Sequence, residues 1–443
     1  MKLLKERASS SIFLQKNQKS RPQHPLKLSI ITQFYPPDYA PTGQLIEELA
    51  TYLSLQEGMH VQIFTGQPGY AFQKDSAPSV EYLDRLLIQR SRIAQIWPQR
   101  IRGKAVNGLL FCLRSGLHLL KAHLLKASSH RDTLLLTTAP PYLPILGYLA
   151  NLLFATPYVC IVYDLYPDVA VQLKVLPPRH RLAQIWDFIN HLTWKRAKQV
   201  IVLSPTMKER IATKYPDISN KISVIHSWAD PDVIVPIAKQ ENWFAYKYNL
   251  VKKFTVLYSG NMGRCHDMDT IFEAACHLQD EPIQFVFIGG GAKLRECKDK
   301  VKELSLGNCL FLPYQDKETL PYSLTACDLS FVSVSSGMDG LVLPSKFYGI
   351  LAAGRPVAVV CEPNSYLREM VTEAKCGQTF ANGDSKGLVE FIRLLSTDKN
   401  LARQLGEASR NYLESNFTPE IIAKQYSQIL TANTLLMSPT TVS

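Results

Sequence analysis

The nine cysteines of this sequence include no Cys-x-x-Cys pair, and its histidines form no cluster at metal-ligand spacing. An odd, unpatterned set excludes a zinc site and a disulfide framework, and reads as the reduced thiols of a cytosolic protein. An uninterrupted apolar run of the roughly 20 residues that a spanning helix needs is also missing. The most apolar stretch, 140–162, is broken by Pro140, Pro141, Pro144, Asn151 and Pro157, so a buried helix followed by a buried strand accounts for it. Residues 1–25 lack the apolar centre of a signal peptide; basic and interrupted by Pro22 and Pro25, they read as a flexible tail. Acid is absent from 85–131, which carries ten Lys/Arg, while 1–27 carries seven against Glu6 alone. With a net charge of +11, the rest of the chain is slightly acidic, and both basic regions lie in the N-terminal half. No RNP, zinc-finger or base-stacking pattern accompanies that charge, which speaks against nucleic acid as a partner.

What is present suits two α/β domains. The chain has 443 residues, 46% hydrophobic and 20% charged, as in soluble globular proteins, and is too long for one ordinary core. Short apolar runs at 26–32, 61–65, 133–138, 158–163, 199–203 and 222–225 read as strands. A helix over 46–55, with Leu45, Leu49 and Leu53 on one face, separates the first two and ends at Gly58. After a connector at 230–252 the pattern restarts, with strands at 254–259, 284–288, 309–312, 329–332 and 357–360 and a helix near 269–278. Strand–helix alternation predicts parallel sheets covered on both faces. Two such sets predict doubly wound domains at 26–229 and 253–417, whose intervening cleft is the default ligand site. The segment 418–443 is helical in pattern, with no strand after it.

Four loops carry the chemistry. In Tyr258-Ser259-Gly260-Asn261-Met262-Gly263-Arg264 a strand closes on glycines that leave backbone N–H groups and a helix start free for an anion. Arg264 and His266 stand ready to add charge to a diphosphate there; the plainer reading is an ordinary βα loop. Phe287-Ile288-Gly289-Gly290-Gly291-Ala292 lacks the third glycine of a dinucleotide fingerprint and follows the second strand of its domain rather than the first, which argues against NAD. From Gly337 to Val357 a glycine loop enters a short helix with Ser345 and Lys346 near its start, where hydroxyl, N–H groups and ammonium converge on phosphate oxygens. In the first domain, 35–43 is a rigid Pro-rich loop in which Thr42 caps a helix and Gly43 permits close approach of a ligand. Asp164 follows a buried strand, at the crevice end by the switch-point rule, and is either a loop residue or a catalytic one.

Residues 101–126 place Leu109, Leu113, Leu117, Leu120 and Leu124 on one helical stripe, with Arg114, Lys121 and Lys126 off it and Trp97, Arg100 and Arg102 leading in. Two readings stand side by side. The leucines face an anionic membrane surface or a lipid-phosphate acceptor, or they pack inward and leave a solvated basic face.

Taken in order, QFYPPDYAPTGQLIEELA (33–50), TGQPGY (65–70), YDLYPDVAVQLKVL (163–176), VLSPTMKERI (202–211), ISVIHSWAD (222–230), LYSGNMGR (257–264) and DGLVLPSKFYGILAAGRPV (339–357) resemble the retaining family 4 (group 1) glycosyltransferases, in the subgroup similar to colanic acid and capsule biosynthesis enzymes. The resemblance runs from about Lys27 to Tyr426. It implies the GT-B fold, two Rossmann-like domains facing across a cleft with a last helix crossing back to the first. It also implies a UDP- or GDP-sugar donor on the second domain, a glycan or lipid-pyrophosphate-linked acceptor on the first, retention of configuration, and no required metal or cofactor. By position, Asp164, Lys346 and Arg264 are the expected catalytic residues. Gly260, Asn261, Gly263, Gly290, Tyr314, Asp339, Gly340, Leu341, Ser345 and Lys346 are the expected donor contacts, and Thr42 with Gly43 the acceptor or phosphate loop. The expected location is cytoplasmic, peripheral at the inner face of the plasma membrane through 85–131.

One position departs from the family pattern. The second Glu of its Glu-x7-Glu signature, which binds the donor ribose, falls on Gly349, and Asp339 matches the first acid only through a two-residue insertion. Two rivals to the transferase are a nucleotide-sugar epimerase on the same fold and an inactive binding subunit.

Overall fold

A computed structural model describes residues 26–38, 40–68, 77–91, 101–125 and 132–432. The expected tail at 1–25, Tyr39, Gly69, Tyr70, Trp97, Arg100, Lys126 and the segment 433–443 lie outside the described residues, as does the side chain of Arg102. By its contacts the chain divides into two compact bodies. One takes the chain to Val162, Phe188–Ile201 and the chain from Ala423; the other takes Tyr163–Asp187 and Val202–Ile422. The limits expected at 229 and 253 are therefore not the limits of these bodies.

The first sheet contains β1 (Lys27–Ile31), β2 (His60–Thr65), β3 (Val80–Leu83), β4 (Leu86–Arg90), β5 (Thr133–Thr137), β6 (Tyr158–Val162), β7 (Gln199–Val202) and β8 (Ile222–Val224). Its order is β3-β4-β2-β1-β5-β6-β7-β8. The pairings of β1 with β2 and β5, of β2 with β4 and of β5 with β6 are parallel; β3 pairs antiparallel with β4. The central strands β5 and β6 are buried at every position, which is why they read as unbroken apolar runs rather than alternating ones.

Two helices of this body differ from expectation, and a third decides between the two readings of its leucines. Helix α1 (Pro41–Leu55) starts before 46, because Pro41 sits at its first position and Ala40, extended, is its flanking residue. Thr42 thus lies inside the first turn and caps nothing. Helix α2 (Ile101–Leu124) turns its leucine stripe outward: Leu113, Leu117 and Leu124 are 59%, 66% and 71% exposed. Its buried side is built from Phe111, Cys112, Ser115 and Leu119. Helix α3 (Ile145–Phe154), expected to be buried, buries Gly147 and Ala150 but leaves Leu149, Leu152 and Leu153 exposed.

Next along the chain come α4 (Asp168–Gln172), α5 (Arg181–Arg196), α6 (Pro205–Lys214), capped by the Ser204 hydroxyl, and α7 (Trp243–Lys247), capped by Asn242. The second sheet contains β9 (Phe254–Ser259), β10 (Ile283–Ile288), β11 (Cys309–Leu312), β12 (Leu329–Ser333), β13 (Val357–Val360) and β14 (Gly377–Phe380). Its order is β11-β10-β9-β12-β13-β14, and every pairing is parallel. Helices α8 (Asp269–His277), α9 (Leu294–Glu303), α10 (Leu320–Thr325), α11 (Lys346–Ala352), α12 (Tyr366–Ala374), α13 (Ser385–Thr397) and α14 (Lys399–Asn416) alternate with and follow these strands. The core joins Phe272, Phe285, Phe287 and Phe331 to Leu388 and Ile392.

The chain builds this sheet outward from β9 through β10 to β11, then returns to place β12 on the other side of β9. Connections thus leave in opposite directions from the ends of β9 and β12, which opens a crevice there. The last helix, α15 (Pro419–Thr431), belongs from Ala423 onward to the first body. There Ser427 Oγ donates to a Glu57 carboxylate oxygen at 2.7 Å and Lys198 Nζ to the Leu430 carbonyl at 2.8 Å.

Candidate active site

The crevice at the ends of β9 and β12 collects several expected residues and shows why they stand there. Beyond β9 the chain turns at Gly260, and beyond β10 at Gly289, with φ of +129° and +133°. A Cβ on Gly289 would lie 2.1 Å from the Gly260 carbonyl oxygen, so only glycine lets the two loops touch. Backbone bonds close the contact, from Gly260 N to Ile288 O at 2.8 Å and from Met262 N to Gly290 O at 2.6 Å. The triple glycine therefore serves loop packing, with the Tyr314 ring laid against Gly290. Asn261 is exposed and its side chain lies between Gly263 and Gly291.

Lys346, the first residue of α11, enters this crevice. Its ammonium lies 3.6 Å from the centre of the Tyr258 ring, and a Cβ on Gly260 would stand 3.8 Å from its Nζ. The Nζ is buried and has no hydrogen-bond partner among the described residues. Burial holds its pKa well below the ordinary lysine value, because a charged amine without partners is costly away from water. The negative face of the Tyr258 ring offsets only part of that cost. Ser345 stands at the N-cap, half-buried, but its hydroxyl bonds no helix N–H.

His266 was expected to bring charge, and it does not. Its Nδ1 lies 2.8 Å from the Ser333 carbonyl at the end of β12, so Nδ1 carries the proton and donates. Burial, followed by the Lys346 charge, pushes its pKa down to about 3, leaving a neutral ring at physiological pH. Lys293 Nζ donates to the His266 carbonyl at 3.0 Å. Arg264 is exposed in the turn just before it.

Asp164 follows β6 and is exposed as a residue, yet protein crowds its carboxyl and raises the pKa to about 6. Its charge reaches Cys265, whose thiol burial first and Asp164 second push up to about 11. Asp164 therefore belongs beside the 263–266 turn.

Other expected residues lie elsewhere. Asp339 is 8% exposed and accepts a hydrogen bond from Ser365 Oγ at 2.7 Å. A Cβ on Gly340 would stand 2.9 Å from both Arg210 Nε and the Thr206 carbonyl oxygen, and the Leu341 carbonyl accepts from Leu165 N at 2.9 Å. These three residues thus seat the 337–341 loop against α6 and the segment after β6. Asp339 also lines a recess of about 590 Å³ with Leu165, Thr206, Arg210 and Glu362, which includes neither Gly260 nor Lys346. In the first body, Gly43 N donates to the Ala40 carbonyl at 2.9 Å, and a Cβ there would meet the Phe34–Tyr35 backbone at 3.0 Å. Its own loop makes one close approach that needs glycine at position 43. At Gly349 a Cβ would make only ordinary contact, 3.6 Å from Leu324 Cδ1, so packing does not require glycine where the family carries Glu.

Comparison with known proteins agrees with this fold. Residues 240–412 match the family Glycosyl transferases group 1. That segment resembles a group 1 glycosyltransferase domain. The probable glycosyltransferase WbjE of Pseudomonas aeruginosa is 25% identical over 301 residues, 67% of this chain and 73% of that protein. The putative colanic acid biosynthesis glycosyl transferase WcaI of Escherichia coli K12 is 33% identical over 118 residues, 27% of this chain and 29% of that one. Sucrose-phosphate synthase from Thermosynechococcus elongatus superposes with a TM-score of 0.73 at 20% identity, over 93% of this chain and all of that chain. Anabaena Alr3699/HepE, solved in complex with UDP and glucose, does so at 0.67 and 13% identity, over 92% and 100%. These structures share the GT-B fold.

Tyr258, Ser333 and Cys265 were not singled out from sequence. The one signal for Tyr258 was its place at a strand end just before a Ser-Gly turn.

Proposed function

We propose that this glycosyltransferase moves a hexose from a UDP- or GDP-sugar to an acceptor hydroxyl in polysaccharide synthesis, with retention of configuration and without a metal ion. The donor diphosphate binds over Gly260, Asn261 and Gly263, with Gly290 and Tyr314 beside it and Ser345, Lys346 and Arg264 on its oxygens. The observation that carries this reading is the Lys346 amine, buried at the sheet's switch point and without a hydrogen-bond partner among the described residues. A buried cation lacking a partner is paired when an anion arrives, and the group that departs in glycosyl transfer is a diphosphate. Structurally similar proteins solved with UDP-glucose and with UDP-2-fluoro glucose support the same reading.

In the reaction the bond from the anomeric carbon to the diphosphate breaks, and its electron pair leaves with the phosphate. The acceptor oxygen bonds to the same face of that carbon, and its proton passes to a departing phosphate oxygen. Lys346 and Arg264 neutralise the charge that develops; Asp164 positions the acceptor or steadies the positive sugar. The acceptor is a glycan on a lipid pyrophosphate, handled at the inner face of the plasma membrane by the first body, with 85–131 toward the bilayer.

Screening UDP- and GDP-sugars for nucleotide release, with EDTA and with a membrane lipid fraction, tests the reading. Lys346→Ala should abolish turnover while the fold persists; turnover at the wild-type rate sinks the assignment. Gly349 favours a second reading, an inactive binding subunit, for which donor binds but no sugar is transferred or hydrolysed. Loss of activity on adding EDTA would overturn metal independence.

A further inference from the structure

The outward leucine row of α2 is not explained by folding. The opposite side of that helix already packs: a Cβ on Gly108 would meet the Tyr142 hydroxyl and Pro140, Gly116 faces Leu146 of α3, and Phe111 and Leu119 are buried. Leu109, Leu113, Leu117, Leu120 and Leu124 then recur every three or four residues on the free side, 41% to 71% exposed, with exposed Arg114 and Lys121 beside them. The neighbouring α3 adds exposed Leu152 and Leu153. At its flank Arg196 Nε donates to Asn151 Oδ1 at 2.6 Å, and the guanidinium lies 6.0 Å from the centre of the Tyr148 ring.

We propose that the α2–α3 face of the first body docks on a bilayer containing anionic phospholipid, with the leucines entering the acyl boundary and Arg114, Lys121 and Arg196 on the headgroups. Two observations choose this occupant. An apolar row flanked by cations matches the interface of a membrane, apolar below and anionic above. The stretch 85–131 contains no acid, so nothing along it repels a negative surface. A watery partner would not require leucine at every outward turn. No described helix is long and apolar enough to cross a membrane, and a helix lying in the interface does not need to be. This inference deepens the reading of a membrane-borne acceptor and rests on it for its purpose, not for its physics.

The test uses the full chain and vesicles of phosphatidylglycerol mixed with phosphatidylcholine, against phosphatidylcholine alone, with no donor or acceptor present. Wild type should cosediment with the anionic vesicles at least about tenfold better, and salt should weaken but not abolish binding. The double variant Leu113→Glu/Leu117→Glu should lose vesicle binding by at least about tenfold while keeping its circular dichroism and its affinity for UDP. Vesicle binding by that variant at the wild-type level overturns the proposal. A wild-type dimer that the variant converts to monomer, with no vesicle binding by either, also overturns it and assigns the face to a second copy. Vesicle binding without any sugar transfer would leave this surface standing and remove only the transferase reading.

Discussion

Lys239 and Lys346 are both buried lysines of the second body, and their surroundings could hardly differ more. Lys239 is 6% exposed, but its ammonium donates to the Lys253 carbonyl at 2.6 Å and to Thr255 Oγ1 at 2.9 Å, and it pairs with Asp328. Every proton of that ammonium has a destination. Lys346 has only the face of Tyr258. A satisfied buried charge fastens the chain before β9 to the base of the sheet, while an unsatisfied one at the crevice end awaits an anion. Both amines are shielded from water, so the partner inventory is what separates a structural lysine from a functional one.

Substituting methionine at each position should pull the two apart. Lys346→Met should lower turnover by about 10²–10³-fold, the scale of losing one preorganised group that stabilises developing charge. Its melting temperature should hold or rise, because a partnerless amine is removed from the interior. Lys239→Met should do the reverse, costing about 3 kcal/mol of stability by stripping Asp328 of its partner, while the folded fraction keeps its turnover. Equal losses of stability in both variants would break the comparison. A smaller effect sharpens it. Since burial lowers the Lys346 pKa, the free enzyme holds fewer protons than the ligated one, in which a diphosphate favours the ammonium. Calorimetry of UDP binding in buffers of different ionisation enthalpy should show uptake of up to about one proton, absent in Lys346→Met.

How much of this was legible in the sequence depends on distance along the chain. Strands β5, β9 and β13 show in their apolar runs, since a strand buried on both faces has no other signature. The edge strands β3 and β14 escaped, because VEYL and GQTF are four residues long and form neither an apolar run nor a regular alternation. Lys346 was read as a phosphate contact from its place at a helix start, but its seat on Tyr258 depends on sheet order, which places α11 beside β9. Thr42 looked like a cap because it stands near a helix start; Pro41, which can open the helix itself, displaced it inward. The leucine periodicity of α2 was plain, but periodicity says which residues share a face and not which way the face points. That was settled by Gly108, Ser115 and Gly116, small residues that let α2 lie against α3 on the other side.

Asp164 offers the smallest effect and a test in which stability and activity move oppositely. Its pKa near 6 lies above the ordinary carboxylate value, so the folded chain holds this proton more tightly than the unfolded one. Stability contributed by this group is therefore lost as pH rises from about 4 through 6, and the loss is constant above that. Asp164→Asn removes the ionisation, so its melting temperature should exceed the wild-type value above pH 6, with the difference closing near pH 4. Turnover should run the other way. If the carboxylate positions the acceptor or steadies the positive sugar, wild-type activity climbs as pH passes through 6, and the asparagine variant loses that limb along with most of its rate. A variant that gains the melting temperature but keeps the limb would make Asp164 a loop residue whose burial is incidental, and would move the search for the ionising group to Lys346 or the substrate, because His266 is neutral throughout this range.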